Sequence, residues 1–480
     1  MTRGHYRVIA AAMVIAAIAV AGTVVRPAGR MVRTAAGGVA PVGSSTVVCP
    51  NVSGGPGGLT TDMMVAHVTS GASPKVQYSV VRTPGERAVQ HLAPAPLAVV
   101  HKDAAYGAVA VTATGPGSDG VTASQTGLIP GGIGRGLLDT ACRPTATDSW
   151  FVGADGRIGF SDWLYLVNPS DTIANVALSF WSGRGPLSPP NTSGIPLPAH
   201  TTMLRKISDF APDVAALALR VHANSGAVAA AVVDLQSTGT TPRGSDWIPV
   251  TSPPARSAVV TGFFAHATLD VVDIANPGDR DATVSLRVLT PSKNFVPAGH
   301  QTVVVPAGHT VTVDVSGAVA GEAAAVALTS DDPVAASGFT AQTPSSGFRD
   351  LTWLGAEQPL RGPAGVANNV PPFAQAVHLM LTAPDASARV RVSTVRGSSA
   401  VVTVPSGRTF DIDLQALLHA GAGGPGPLLL TPLDLAAVYA VRTMYAVGAH
   451  GPLLAASTPL PLPRPTVLPP VVADIRAALA

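Results

Sequence analysis

The sequence predicts an all-β chain: tandem immunoglobulin-like β-sandwich domains behind one apolar N-terminal segment. Three observations predict it. First, the stretch 164–178, LYLVNPSDTIANVAL, returns within 271–286, VVDIANPGDRDATVSL. Asn168, Pro169 and Asp171 recur 108 residues later as Asn276, Pro277 and Asp279, and Ala174, Val176 and Leu178 recur as Ala282, Val284 and Leu286. A period of this length is that of a whole domain, too long for a solenoid unit or a propeller blade. Second, apolar residues alternate on both sides of each Asn-Pro turn, so each copy reads as a β-hairpin. Third, 49 Gly and 44 Pro are spread among short Val, Ala and Leu runs, the pattern of many short strands joined by turns. Long runs of 3.6-residue period occur only near the two ends.

Composition narrows the function classes. Thirty basic residues against 28 acidic leave a formal charge of +2, so no field for a polyanion exists and no nucleic-acid partner is expected. Arg outnumbers Lys 26 to 4 beside abundant Ala, Gly and Val, which reads as the codon usage of a GC-rich genome.

Taken in order, the chain opens with Arg3, His5 and Arg7 before the uncharged run 8–25. Eighteen apolar residues just reach the length that crosses a bilayer. Basic residues in front favour an N-terminus held in the cytoplasm. Residues 1–25 are therefore expected to be a single-pass anchor in the cytoplasmic membrane, with everything behind them extracytoplasmic. Ala19-Val20-Ala21 fits a small-x-small cleavage site, so secretion after signal cleavage is the alternative. Residues 26–43 have no period and read as a flexible stalk.

A β-sandwich is expected over 44–145, with strands at 63–69, 76–81, 95–101, 107–114 and 120–127. Cys49 and Cys142 lie near its two ends and no third cysteine exists. An exported pair can close as a disulfide. Closing so long a loop is worth about 4–5 kcal/mol in the chain-entropy model. Further sandwiches are expected over 146–253 and 254–361, the clearest repeat pair. In each, a Pro-Ala-His or Pro-Ala-Gly step (Pro198 to His200, Pro306 to Gly308) precedes a strand. In 146–253, residues 222–226 have tight-turn composition between two later strands. In 254–361, Asp331-Asp332-Pro333 reads as a hairpin tip. A looser copy follows over 362–462, with separate strands at 437–443 and 446–448. Residues 463–480 form a Pro-rich tail, and 459–470 suggest a polyproline-like strap. About 100 residues with roughly seven short strands is the signature of an immunoglobulin-like sandwich.

Several passages together carry a resemblance. They are Cys49-Pro50, Cys142 followed by Trp150-Phe151-Val152-Gly153, the L-x-L-x-N-P turn with A-x-V behind it, GSDWIP at 244–249 and SDDPV at 330–334. The chain resembles an actinobacterial family of exported or membrane-anchored proteins of unknown function. The resemblance implies a genomic setting near cell-envelope glycosyltransferase and nucleotide-sugar genes. It implies no catalytic residues, because the family has none assigned.

Residues that could carry chemistry each have a structural reading beside the functional one. Asn168-Pro169-x-Asp171 and Asn276-Pro277-x-Asp279 are explained as turns: Asn bonds to backbone two residues on and Pro fixes φ. A calcium site would need more converging oxygens. Asp270 with Asp273, Asp331 with Asp332, and Asp411 with Asp413 are the closest acid sets, readable as acid/base pairs or as solvated edges. Trp150, Trp247 and Trp353 recur at similar points of successive copies, which suggests packing at a seam or over a core. Trp163 and Trp181 flank the first Asn-Pro unit; exposed, they could stack sugar rings. No Gly-x-Ser-x-Gly motif occurs, and the run 131–136 lacks the Lys-Ser/Thr of a phosphate loop.

The expectation is a non-enzymatic extracytoplasmic scaffold or interaction protein, without cofactor or metal. It would be held to the membrane through residues 8–25 and would engage an envelope protein or polysaccharide. A glycan-binding protein using Trp163 and Trp181 is the alternative. A hydrolase with an inter-domain Asp pair ranks third.

Overall fold

The computed structural model describes residues 34–35, 38–50, 60–81, 89–92, 97–102, 107–369, 374–419, 426–468 and 471–472. Among them no helix is long and apolar enough to cross a membrane. The run 8–25 lies outside the described residues.

The described chain is almost entirely β, with short helical turns such as Ser316–Val319 and Leu414–Leu417. Residues 42–463 form one compact unit. Within it a single eight-strand plan occurs four times. In the first module the strands are Ser44–Cys49, Thr60–His67, Lys75–Val81, Val89–His91, Leu97–Lys102, Ala108–Thr114, Val121–Ile129 and Gly136–Ala141. They build two antiparallel sheets. One runs first–sixth–third–fourth strand and the other fifth–second–seventh–eighth. The second module repeats this from Asp148–Ala154 to Thr241–Ile248, the third from Ala255–Phe263 to Asp350–Gly355, and the fourth from Ala364–Val366 to Gly451–Ser457. These are β-sandwiches of immunoglobulin-like size and layering whose first strand pairs with the sixth. The inward faces of both sheets supply each core. In the second module Leu164 and Leu166 meet Val176, Leu178 and Phe180.

The Asn-Pro units are not hairpins. Trp163–Asn168 pairs with Thr201–Lys206 and Ala229–Thr238, whereas Ala174–Ser182 pairs with Gly185–Leu187, Ile195–Leu197 and Leu217–Ser225. The chain therefore arches from one sheet to the other. Alternation specifies two strands, and Asn-Pro a turn, but neither states whether the strands share a sheet. The buried Asn makes the arch possible. Asn168 Nδ2 donates to the carbonyls of Thr172, Leu197 and Pro198 at 2.7, 3.0 and 3.1 Å, and its Oδ1 accepts Ser170 N at 3.1 Å. Asn276 donates to Arg280, Val305 and Pro306 and accepts Gly278 N, every partner shifted by the same 108 residues. Pro169 and Pro277 lie in the arches themselves. Asp171 projects outward to His200 at 2.7 Å, and Asp279 is exposed.

Three other expectations change in the same way. Residues 222–226 join Leu217–Ser225 to Ala229–Thr238, which belong to opposite sheets. Asp331-Asp332-Pro333 is no hairpin tip: it lies inside the single strand Ala324–Gln342, which begins in one sheet and ends in the other. Turn-forming residues mark a change of direction here, and the change is a crossover. In the fourth module 437–443 and 446–448 merge into one strand, Tyr439–Gly448.

Cys49 and Cys142 form a disulfide. It ties the first strand of one sheet to the end of the eighth strand of the other, beside the pairing of Val48 with Arg143. In the tail, Leu460–Pro461 adds to the edge of Ala364–Val366. The remaining described terminal residues form a separate unit. There Gly38–Ala40, within the stretch expected as a stalk, pairs antiparallel with Thr466–Leu468, and Thr34–Ala35 pairs with Val471–Val472.

The four modules are not strung out. Their eighth strands, Gly136–Ala141, Thr241–Ile248, Asp350–Gly355 and Gly451–Ser457, neighbour one another in a closed cycle. Buried aspartates cross-link this hub. Asp246 Oδ1 accepts Asp139 N at 3.0 Å from the first module, and its Oδ2 accepts the Thr352 hydroxyl from the third. Asp350 accepts Leu454 N from the fourth module at 2.9 Å. Arg135 donates to Gly451 and Pro452 carbonyls at 2.8 and 2.9 Å. Arg442 pairs with Asp139, both fully buried, and so closes the fourth module on the first.

Two predictions follow from this packing. Asn168→Ala takes the donor from the buried Leu197 carbonyl and breaks the part-buried bonds to Thr172 and Pro198, and a buried group left unpaired costs about 1–3 kcal/mol. Urea unfolding should show a loss of about 2 kcal/mol or more, while Asp171→Ala stays near neutral; equal effects would refute the arch argument. Arg442→Leu strands the Asp139 carboxylate, and breaking a buried pair costs about 3–5 kcal/mol. An unchanged denaturation midpoint would show that the ring does not depend on this closure.

Candidate functional site

Two of the seams between modules hold cavities. The first strands of the second and third modules each carry a glycine bulge that lets the next module approach. Gly153 has φ 107°, and a Cβ there would stand 2.2 Å from the Trp353 ring. Gly262 has φ 116°, and a Cβ there would meet Leu354 at 2.8 Å and Val441 at 3.1 Å. Between the second and third modules the seam opens into a cavity of about 710 Å³. Its floor is the outer face of the third module's sheet, with Leu269, Val271 and Asp273 on one strand and Phe339 and Trp353 on its neighbours. The loop 155–160 and the turn 236–239 of the second module form the opposite wall.

Both modules supply charge. Asp155 is buried and grips Arg157 in a bidentate pair at 2.7–3.1 Å, with the guanidinium over the Phe160 ring. Asp273 accepts the Thr312 hydroxyl. Burial pushes the Asp273 carboxyl up to about 6; the Thr312 bond opposes this and the charge of Asp155 adds to it. Behind the wall, Asp162 and Asp234 are buried neighbours. Burial raises both carboxyls, and the neighbouring charge of Asp234 raises Asp162 further. Asp234 also accepts Trp353 Nε1 at 2.8 Å and Gln236 Nε2 at 2.6 Å. Gln236 Oε1 in turn accepts Arg349 at 2.6 Å. Arg349 lies over Phe339 and donates to the Arg243 carbonyl at 2.9 Å. Burial, then the charge of Arg243, pushes the Arg349 guanidinium down to about 10.

A second cavity, about 440 Å³, lies at the next seam, lined by Phe264, His266, His378, Met380, Asp411 and Tyr445 among others. His378 Nδ1 meets Asp411 at 2.9 Å, and that bond raises the imidazole above its ordinary value. Asp413 instead caps the turn Leu414–Leu417.

The structure thus rearranges the acid pairs. Asp270 and Asp273 separate: Asp270 turns to the Thr340 hydroxyl at 2.7 Å, and Asp273 faces the cavity beside Asp155. Asp331 accepts Thr283 N at 2.7 Å, and Asp332 pairs with Arg256 and Arg280. Trp163 is partly buried at the seam of the first two modules and donates to Ser161 Oγ at 3.2 Å. Trp181 stacks on Trp150, ring centroids 5.2 Å apart, against Ala275 and Ala335 of the third module. Neither lines the large cavity. Trp247 and Trp353 both pack at seams. Sequence reasoning missed Asp155, Arg157, Asp162, Asp234, Arg243 and Arg349. One signal was present: Arg243 and Trp247 recur as Arg349 and Trp353, 349 − 243 = 353 − 247 = 106 residues on. Among the described residues no group of three or more His, Cys, Asp or Glu could hold a metal ion.

A family model described as a family of unknown function, DUF5719, matches residues 98–415, well over half of the chain. The chain belongs to DUF5719. The matched span takes in the second and third modules whole and the first and fourth in part, including every residue of the large cavity. No curated protein matches. Among solved structures, the chain is similar to the Anabaena sensory rhodopsin transducer, at 20% identity over 18% of this chain and 97% of that one, with a TM-score of 0.15. A second is Thermotoga maritima 1070, at 14% identity over 21% and 93%, TM-score 0.19. A third is a tetra-tandem repeat in the extending region of a large adhesion protein, at 12% identity over 89% and 99%, TM-score 0.10. TM-scores this low bear on neither fold nor function.

The raised carboxyl of Asp273 links the site to pH. A group whose folded pKa of about 6 exceeds its unfolded value of about 3.9 stabilises the fold fully below pH 4. That contribution is lost as pH rises through 6. Stability should therefore decline between pH 4 and 7, and Asp273→Asn should make the decline shallower by at most about 3 kcal/mol. Denaturant titrations of both forms across this range decide it; parallel curves would show that Asp273 is not held protonated.

Proposed function

We propose that this chain is a non-enzymatic interaction protein of the cell envelope. Residues 8–25 hold it to the cytoplasmic membrane, and the closed ring of sandwiches outside presents the cavity between the second and third modules to an envelope partner. The partner is a component of membrane glycosyltransferase machinery or the polymer it makes. The observation that carries the reading is the cavity itself. Its size is that of ligand sites, and its walls come from two modules locked together by Trp353–Asp234 and Arg349–Gln236. The acids on its surface are engaged as acceptors, Asp155 by a bidentate arginine and Asp273 by a hydroxyl. A preformed, aromatic-floored site with fixed acceptors suits holding a polar ligand.

One observation favours a second reading. Asp155 and Asp273 come from different modules and face one cavity, and Asp273 is raised toward neutrality. Two carboxyl groups flanking one cleft, one of them fit to act as an acid, are the arrangement of glycoside hydrolases. The two readings separate in one experiment. The full chain, solubilised from cross-linked native membranes, should co-purify with a membrane enzyme or with envelope polysaccharide, and the polysaccharide should be recovered uncut at pH 5–7. Chain shortening that Asp273→Asn abolishes would replace the binding reading with the hydrolase. A clean monomer without polysaccharide would remove the interaction reading.

A further inference from the structure

We infer that the cavity between the second and third modules takes a sugar carrying an anionic group, with Arg243 and Arg349 holding the anion and the acids at the other end holding hydroxyls. The inference rests on the reading of this cavity as a binding site and adds the chemical class of its ligand.

The floor is graded along one strand. Asp273 and Thr312 stand at one end, the row Val271–Phe339–Trp353 in the middle, and Leu269 with Arg349 beyond it. Residues two apart on a strand are separated by about 7 Å. The aromatic row therefore spans about the width of one pyranose ring between an acceptor end and a cationic end. Carboxylates that accept hydroxyl hydrogens belong at one end of such a ligand and guanidiniums at the other.

Some of the described arginines sit in ion pairs and others do not. Arg143, Arg157, Arg220, Arg256, Arg280, Arg287, Arg389 and Arg442 all sit in ion pairs. Among the described residues neither Arg243 nor Arg349 does, although they are close enough for Arg349 to bond the Arg243 backbone. Two like charges side by side at a cavity rim oppose each other, and burial adds to this at Arg349. An anion between them relieves both. Comparison along the repeat points the same way. Arg135, Arg243 and Arg349 each enter the eighth strand of their module. Arg135 reaches the carbonyls of the fourth module and Arg349 that of the second, in the same sense around the ring. Arg243 makes no such bond among the described residues; it is exposed and lines the cavity. The same sense would carry Arg243 across the seam of the first two modules; instead its side chain lines the cavity between the second and third.

Titration calorimetry on the detergent-solubilised full chain tests this with three probes: maltotriose, its terminal glucuronate form and its terminal 6-phosphate form. At least one anionic form should bind about tenfold or more tighter than maltotriose, and Arg243→Gln and Arg349→Gln should each erase that advantage. Arg243→Gln is exposed and should leave the thermal midpoint unchanged, so its result stands if Arg349→Gln folds poorly. Preference for carboxylate over phosphate, or the reverse, identifies the anion. Equal binding of all three probes, insensitive to both arginines but lost on Phe160→Ala, overturns the anionic class and leaves the cavity as a binding site. Binding of none of them at millimolar concentration overturns the sugar class, while retention of envelope material in the pull-down would leave the interaction reading standing.

Discussion

The hub where four eighth strands meet is the constraint on which the rest of the molecule depends. Each of these strands hydrogen-bonds on one side to the seventh strand of its own module, and on the other it faces the hub. A strand edge left bare presents unpaired N–H and C=O groups and invites pairing with other chains. Here the edges are turned inward on one another, too many and too close to form an ordinary sheet. Carboxylates fill the role of missing strand partners. Asp246 accepts an amide from the first module and a hydroxyl from the third, and Asp350 accepts an amide from the fourth. A buried carboxylate is costly unless it is fully bonded or protonated. Burial pushes Asp350 up to about 7 and Asp246 well above the ordinary range, so both carry part of their stability as bound protons.

Closure also fixes what each seam can be. Once the fourth module is tied to the first by Arg442–Asp139 and by Asn368–Thr126 at 3.1 Å, the modules cannot slide independently. Seams that pack completely, such as Val48, Val81, Val167 and Ala229 between the first and second modules, leave almost no space. The seam between the second and third modules is held open at its outer end. Trp353 is anchored over Gly153 at the inner end, and the loop 155–160 stands off the sheet. A cavity walled by two modules keeps its shape only if the modules keep theirs. The binding geometry is therefore a consequence of the hub, whose strands supply Arg243 and Trp353 to the cavity.

The legible part of this architecture was the part encoded in neighbours along the chain. Alternation gave the strands, and the doubled Asn-Pro unit gave the repeat and placed Asn168 and Asn276 at equivalent arches. Cys49 and Cys142 could be paired because there are only two. What escaped was every feature set by contacts between distant segments. Period-2 alternation is the same in a hairpin and in an arch between sheets, so both Asn-Pro units and Asp331-Asp332-Pro333 were assigned the wrong connection. The difference lies in Asn168 Nδ2 reaching Leu197, twenty-nine residues away. The cavity was less legible still. Asp155 and Asp273 are 118 residues apart and become neighbours only through the seam. Asp270 and Asp273 are neighbours in sequence that the strand turns to different surroundings.

The repeat also shows how one position can change its role without changing its residue. Arg135, Arg243 and Arg349 enter equivalent strands, and a single arginine serves two purposes depending on what the next module presents. Where a carbonyl of the neighbouring turn is within reach, the guanidinium spans the seam, as Arg135 and Arg349 do. Where it is not, the charge is left at a surface. Arg243 is that case, and the surface it reaches is the cavity. The repeat places an arginine at this point in each of the first three modules, and the second module's is the one left at the cavity without a carbonyl partner among the described residues. The same reasoning accounts for the asymmetry of the ring. Four copies of one plan need four seams, but only a seam that departs from the plan has polar groups to spare for a ligand.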